Sequence, residues 1–150
     1  MLPTGWGHYP PEMPEVLVVS DSSKVREEVI ASLPDAGITV RELSRGAEVL
    51  PAVLERTPDL IVLDSQIGRM GGMAATLDLH LEAGAGRAPH VPVLQLLDRR
   101  ADVFLARRSE AEGWVVKPID PLRLGRAIAT LLAGGTFEDT AYRPPTVPAH

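Results

Sequence analysis

Cysteine is missing from this 150-residue chain, and so are long apolar runs and an excess of basic residues. Without cysteine there are no disulfides and no thiolate metal ligands, which fits a reducing compartment such as the cytoplasm. No apolar run approaches the roughly 20 residues of a membrane span. The first 15 residues lack the basic start and apolar stretch of a signal peptide. We therefore expect a cytoplasmic protein with no membrane partner.

The charge balance is acidic, with a formal net charge of -5. Proteins that bind nucleic acid usually present a basic surface to its phosphates, so we expect no direct nucleic-acid partner. Hydrophobic residues make up 45% of the chain and charged residues 23%, as is ordinary for globular proteins, and the length suits one domain.

Prolines cluster at both ends of the chain. This distribution predicts a flexible Pro-rich tail over residues 1–14, a folded domain over 15–133 and a flexible C-terminal tail over 134–150. The prolines concerned are Pro3, Pro10, Pro11, Pro14, Pro144, Pro145 and Pro148.

Apolar runs and helical spacing alternate between these tails. Runs of strand length occupy 16–19, 60–63, 91–97 and 114–116, and a weaker alternating stretch occupies 38–43. Such runs are typical of parallel strands buried on both faces. Because segments with helical spacing separate them, the order predicts a doubly wound α/β domain with a five-stranded parallel sheet and helices on both faces.

Four residues affect the expected helices. Ser22 or Ser23 can cap the first helix and Asp120 the last, while Pro51 is expected to kink or delay the second helix.

Polar residues follow several predicted strands. Ser20 and Asp21 come after the first, Asp64 ends the third, and Lys117 ends the fifth. Open parallel sheets bind ligands beyond the carboxyl ends of their strands. Paired carboxylates can hold Mg²⁺ beside a carboxylate nucleophile, and lysine can balance a transferred phosphoryl charge. One such acid alone could simply begin a loop, so the convergence of two carboxylates and a lysine indicates a site.

Three segments, VLVVSDSSKVRE, PDLIVLDSQIGRMGGM and WVVKP, resemble the receiver domain of response regulators in order and approximate spacing. The resemblance covers roughly residues 15–133 and implies a flavodoxin-like, CheY-like fold of strand order 2-1-3-4-5. It implies that Asp64 is the phosphoryl acceptor and that Lys117 is its phosphoryl partner. It also implies that Asp21, Asp64 and the backbone carbonyl of Gln66 hold Mg²⁺.

The sequence departs from the family pattern around this site. Ser20 replaces the first of two adjacent acids, which should weaken Mg²⁺ binding. Leu97 stands where the family has a mobile hydroxyl residue, and the acidic Asp98 follows it, which could slow the entry of an anionic phosphoryl group. A hydrogen bond to a charged group contributes about 1.5 to 3 kcal/mol, whereas nearly complete switching needs about 5.5 kcal/mol. We therefore treat Leu97 and the aromatic Trp114 as atypical switch positions.

Two functions remain open. One is a stand-alone receiver in two-component phosphorelay signalling, phosphorylated on Asp64 by a histidine kinase or another phosphodonor. The alternative is an atypical pseudo-receiver that acts as a phosphorylation-independent interaction module. An aspartyl-phosphate phosphatase would need a second aspartate where Gln66 stands, so we expect no enzyme activity of its own.

Two further groups of side chains bear on partners. The basic pairs Arg99, Arg100 and Arg107, Arg108 flank an apolar stretch and suggest a surface for an unidentified protein partner or for a homodimer, with Phe104 packed inward. The four histidines, His8, His80, His90 and His150, lack close metal-ligand spacing, and we assign them no metal-binding or catalytic role.

Overall fold

The computed structural model describes residues 13–66 and 71–139. Strands and helices alternate along them, as predicted, and a 3₁₀ turn precedes the second and fourth helices. Within these two ranges no helix is long and apolar enough to cross a bilayer. In chain order the elements are β1 (Glu15–Val19), α1 (Ser23–Ala31), β2 (Thr39–Leu43), α2 (Val49–Glu55), β3 (Leu60–Asp64), α3 (Gly72–Gly84), β4 (Val93–Leu97), α4 (Val103–Arg108), β5 (Gly113–Val116), α5 (Pro121–Leu132) and β6 (Phe137–Glu138).

The sheet is parallel throughout, in the order β2-β1-β3-β4-β5-β6. The flavodoxin-like order predicted for the first five strands is confirmed, and β6 adds a sixth strand beyond β5. Every residue of β3, β4 and β5 is buried. This burial explains their continuous apolar sequences, because helices cover both faces of a parallel sheet of this kind.

Two layers of side chains form most of the core. On one face of the sheet, Val16 and Val18 of β1 pack with α1 and α5. On the other face, Leu17 and Val19 of the same strand pack with α2 and α3. This alternation follows from the two-residue period of a strand, and it fixes the register of β1 between its two neighbours.

The sheet continues beyond residue 133, where we predicted a flexible tail. Gly134, with a φ of +90°, follows α5, and β6 then pairs with the start of β5. The buried carboxylate of Asp139 accepts a hydrogen bond of 3.0 Å from the backbone amide of Val116. The chain thus covers groups that β5 would otherwise expose as an edge strand. The remainder of both predicted tails, residues 1–12 and 140–150, lies outside the described residues.

The predicted caps are present. The hydroxyl of Ser22 accepts a hydrogen bond from the amide of Val25 at 3.2 Å, and Asp120 accepts one from Leu122 at 3.0 Å. Pro51 falls at the third residue of α2, where an amide hydrogen has no helical partner anyway. Its effect is therefore a late start of α2, after the 3₁₀ turn Gly46–Glu48.

Phe104 does not pack inward, contrary to our expectation. Its side chain is 65% exposed, and the guanidinium carbon of Arg108 lies 5.4 Å from the ring centre. In the short helix α4, Ala106 is the residue that is fully buried, and Val103, three residues earlier, packs against the same cluster. The helical period therefore turns Phe104 toward solvent.

We predict that Gly125→Ala destabilises the domain by about 1–3 kcal/mol through overpacking. A Cβ atom at Gly125 in α5 would lie 2.8 Å from the carbonyl oxygen of Ser32, at the end of α1. Gly84→Ala is the matched control, because a Cβ there meets nothing within 4 Å and alanine favours the helix. Urea unfolding measures both, and a Gly125→Ala protein as stable as the control would show that the two helices can separate without cost.

Candidate functional site

The carboxyl ends of four strands meet at one edge of the sheet. Ser20 follows β1, Asp64 ends β3, Leu97 ends β4 and Lys117 follows β5. The parallel register sets Val19 beside Leu63 and Leu97 beside Val116. Residues far apart in the chain therefore reach the same level of the sheet.

Asp64 is the centre of this edge. The residue is only 2% exposed, yet both of its carboxylate oxygens have partners. Oδ1 accepts hydrogen bonds from Lys117 Nζ at 2.8 Å and from the backbone amide of Gln66 at 3.1 Å. Oδ2 accepts one from the hydroxyl of Ser20 at 2.8 Å. A buried carboxylate needs such donors, because its desolvation would otherwise be costly.

The Ser20 hydroxyl is held in a single orientation. It accepts a hydrogen bond from the backbone amide of Ser22 at 3.1 Å and donates its own hydrogen to Asp64. The backbone of Ser20 is fixed as well, since its amide donates to Leu43 at 3.1 Å and its carbonyl accepts from Arg26. Ser20 is therefore fully buried and serves Asp64 as a neutral donor.

Lys117 lies between two carboxylates. Its Nζ donates to Asp64 and, also at 2.8 Å, to Oδ1 of Asp98. Partial burial alone would lower the pKa of Lys117, but hydrogen bonds and charges from the two aspartates outweigh it and raise that pKa. Sequence reasoning identified Asp98 as an anionic obstacle, whereas the structure also makes it a second partner of the lysine.

Gly72 lets α3 begin directly against the proposed acceptor strand. A Cβ atom there would lie 2.5 Å from the carbonyl oxygen of Asp64 and 2.9 Å from the Cα atom of Ser65. The amide of Gly72 donates to the carbonyl of Ser65 at 3.2 Å. The sequence showed that Gly71 and Gly72 could start a helix, but the close approach depends on the tertiary structure.

Leu97 and Trp114 belong to the core. Leu97 is 0% exposed and Trp114 is 5% exposed, and both pack with Ala106 and Val116. The guanidinium carbon of Arg107 lies 5.4 Å from a ring centre of Trp114. The end of β4 therefore carries an apolar, packed side chain instead of the mobile hydroxyl of the family pattern.

The other two predicted site residues lie at the same edge. Asp21 follows Ser20 directly and is exposed, and Gln66 follows two residues after Asp64 and is also exposed. The structure thus brings together Asp64, Lys117, Ser20 and the Gln66 amide, while Asp21, next to Ser20 in the chain, is exposed to solvent.

Known proteins resemble the chain in sequence and in structure. The family model of the response regulator receiver domain matches residues 16–129. An uncharacterised response regulatory protein of Mycobacterium tuberculosis is 35% identical over 123 residues, which cover 78% of this chain and 90% of that protein.

Two solved structures show the same fold. A LuxR-family two-component response regulator from an Aurantimonas species has a TM-score of 0.74 and 27% identity, covering 87% of this chain and 92% of its own. The chemotaxis response regulator CheY4 of Vibrio cholerae has a TM-score of 0.68 and 27% identity, covering 78% and 97%. With its matched family model and its parallel sheet ending in Asp64 and Lys117, the chain belongs to the receiver domains of response regulators, the signalling proteins of two-component systems.

Proposed function

We propose that Asp64 accepts a phosphoryl group from a histidine kinase or from a small phosphodonor, in the presence of Mg²⁺. The observation that carries this proposal is the 2.8 Å contact between Lys117 Nζ and the buried Asp64 carboxylate. A cation held at that distance stabilises the nucleophile and stands where negative charge arrives during transfer.

The transfer forms one bond and breaks one bond. A carboxylate oxygen of Asp64 attacks phosphorus, and the bond between phosphorus and the donor's nitrogen or oxygen breaks. The leaving group keeps the electron pair and takes up a proton, and the protein carries an acyl phosphate. Lys117, already bound to Asp64 Oδ1, can then pair with the phosphoryl oxygens without a large movement.

The oxygen ligands at this edge fit Mg²⁺, although weakly. Asp21 and Asp64 would supply carboxylates, the backbone carbonyl of Gln66 would supply a neutral oxygen, and Mg²⁺ accepts such a set because it keeps several waters. When bound, Mg²⁺ would neutralise charge on the phosphoryl oxygens. Ser20 contributes a neutral hydroxyl that donates to Asp64, so one negative charge of the family pattern is missing.

A second candidate is an interaction module that works without phosphorylation. It is favoured by the contact of Lys117 with Asp98 at 2.8 Å, since a phosphoryl group would have to compete with that carboxylate. The buried Leu97 also favours this candidate, because an apolar side chain at the end of the strand cannot bind a phosphoryl oxygen.

For either function, we propose the exposed side of α4, with Phe104 and Arg108, as the surface that binds a partner or a second copy. The expected cytoplasmic location stays a prediction.

Phosphorylation can be tested by intact mass. We expect the protein, incubated with Mg²⁺ and a small phosphodonor, to gain the mass of one phosphoryl group, because Asp64 is the buried carboxylate beside Lys117. Asp64→Asn should show no gain. Lys117→Met, which removes the charge but keeps much of the side chain, should lower the yield by roughly tenfold or more, as expected for loss of an electrostatic contact in the transition state.

The outcome separates the two candidates. An adduct that also forms on Asp64→Asn would place the modification elsewhere and contradict the proposed acceptor. No adduct on the unaltered protein, with Mg²⁺ present in excess, would favour the interaction module.

We expect Ser20→Asp to strengthen Mg²⁺ binding and to weaken the metal-free domain. The change replaces a hydrogen bond to a charged group, worth about 1.5 to 3 kcal/mol, by a second carboxylate close to Asp64. In chelator the melting temperature should fall by several degrees, at about 2–4 °C per kcal/mol. Added Mg²⁺ should raise the melting temperature of Ser20→Asp by more than it raises that of the unaltered protein, because a ligand stabilises the state that it binds.

Ser20→Ala is the control for this variant. It removes the same hydrogen bond but adds no charge, so its melting temperature should fall in chelator and respond weakly to Mg²⁺. Equal Mg²⁺ responses of Ser20→Asp and Ser20→Ala would show that the metal does not use this position.

A further inference from the structure

Two histidines and a glutamate meet at the amino ends of the strands, whereas Asp64 lies at their carboxyl ends. His80 lies in α3, His90 lies shortly before β4 and Glu112 lies directly before β5. Their ligand atoms are all within 4.8 Å of one another. The three residues are widely spaced in the chain, so no motif in the sequence indicates the group. It lies at the amino ends of β4 and β5 and shares no residue with the site around Asp64.

We propose that His80, His90 and Glu112 bind a divalent transition metal of the Zn²⁺ class. Glu112 Oε1 lies 3.2 Å from Nε2 of His80 and 3.2 Å from Nε2 of His90. In a tetrahedral zinc site with ligand distances of about 2.0–2.2 Å, neighbouring ligand atoms are about 3.3–3.5 Å apart. Both contacts thus lie close to the edge length of a tetrahedron around one ion.

The tautomer of His80 supports this assignment. Its Nδ1 lies 2.9 Å from the backbone carbonyl of Ser109, and a carbonyl can only accept, so Nδ1 carries the hydrogen. In the neutral ring Nε2 then holds a lone pair that faces the carboxylate oxygen of Glu112. Because two electron-rich atoms repel each other, a proton or a metal ion must lie between them. Metal-binding histidines are commonly oriented by such a second hydrogen bond from the other ring nitrogen.

Glu112 is oriented in the same way. Its second oxygen, Oε2, accepts a hydrogen bond from the backbone amide of Val93 at 2.6 Å. That contact leaves Oε1 directed at the two imidazoles. The carboxylate is therefore held by the start of β4 and needs no rearrangement to bind an ion.

The third ligand can adjust, and a fourth position is open. The His90 side chain is 61% exposed, so it can rotate to bring its Nε2 closer to that of His80. The three side chains line an open cleft of about 390 Å³ together with Ala83, Gly84 and Glu110. Water can occupy the fourth position there, in the manner of zinc sites with three protein ligands. Two imidazoles and one carboxylate suit Zn²⁺ better than Mg²⁺ or Ca²⁺, which prefer oxygen.

A metal at this place would join separate elements of the fold. It would connect the C-terminal turn of α3 with the approaches to β4 and β5. The Ser109 carbonyl that holds His80 belongs to the residue that ends α4. The hydroxyl of Ser109 accepts a hydrogen bond of 3.1 Å from the fully buried Gln95. Hydrogen bonds through Ser109 therefore connect His80 with the interior of β4.

The test is a Zn²⁺ titration of the tag-free protein. His8 and His150 are replaced by alanine first, which leaves His80 and His90 as the remaining two of the four histidines. A proton competes for the same position, since the hydrogen bond to Glu112 raises the pKa of His80; the titration is therefore done at about pH 8, where metal affinity is less reduced by protons. We expect one Zn²⁺ per chain, and Co²⁺ should give the visible absorption of a low-coordinate site.

Substitutions decide between this site and a plain hydrogen-bonded cluster. His90→Ala changes an exposed side chain and should leave the fold intact, yet it should weaken Zn²⁺ binding by more than about tenfold, as even outer-shell changes cost that much at metal sites. Glu112→Gln should do the same. Glu82→Gln is the matched control, because it removes an equal charge near the end of α3 from a residue that pairs with Arg87, and it should bind Zn²⁺ normally.

The outcome is independent of the phosphorylation proposal. Asp64→Asn should bind Zn²⁺ as the unaltered protein does, since Asp64 lies at the other edge of the sheet. Zn²⁺ binding that survives in both His90→Ala and Glu112→Gln would place the ion at other residues and overturn the proposal. Failure of the protein to bind Zn²⁺ at all would overturn it as well, and would leave the three side chains as a hydrogen-bonded cluster.

Discussion

The parallel strands of this protein all end on the same side of the sheet, and this determines where its polar side chains come together. β1, β3, β4 and β5 are paired in register, so Ser20, Asp64 and Lys117 meet although they are far apart in the sequence. The inner strands β3, β4 and β5 are buried throughout, and their side chains are apolar except for Asp64 at the end of β3 and Gln95 in β4. The charged groups of the two clusters lie where these inner strands begin or end. Carboxylates and a lysine lie at the carboxyl ends, and imidazoles and a carboxylate lie at the amino ends.

The surroundings of Asp64 define how this receiver differs from the pattern of its family. Both carboxylate oxygens are occupied within the protein, and the lysine has a second anionic partner in Asp98. The unmodified site is consequently well satisfied. The Leu97 side chain, which packs against Trp114, has no polar atom that could bind a group attached to Asp64. Among the described residues, Ser20, Lys117 and the backbone amide of Gln66 contact the Asp64 carboxylate, and Gly72 lies against the end of its strand. A response to modification can pass through these contacts.

Sequence reasoning recovers the features that depend on neighbouring residues and on the order of elements. Four apolar runs and one alternating stretch predicted the five main strands, and polar residues at strand ends predicted that Asp64 and Lys117 lie close together. It misplaced Phe104, because α4 is too short for its inward face to be read from apolar spacing. It missed β6, which consists of two residues and has no pattern of its own. It dismissed His80 and His90, because only the folded chain brings them to Glu112.

The short strand β6 and the charges of β2 also bear on how the domain avoids self-association. An exposed strand edge offers unpaired amides and carbonyls to other chains, and natural sheets protect their edges with short strands and charged side chains. On one side of the sheet, the outermost strand is only Phe137–Glu138, too short to template a partner strand. On the other side, Arg41 of β2 donates to the carbonyls of Ala52 and Arg56 and pairs with Glu15, which fixes a charged side chain on the edge strand. Pairing with a strand of another chain is therefore disfavoured at both outer strands of the sheet.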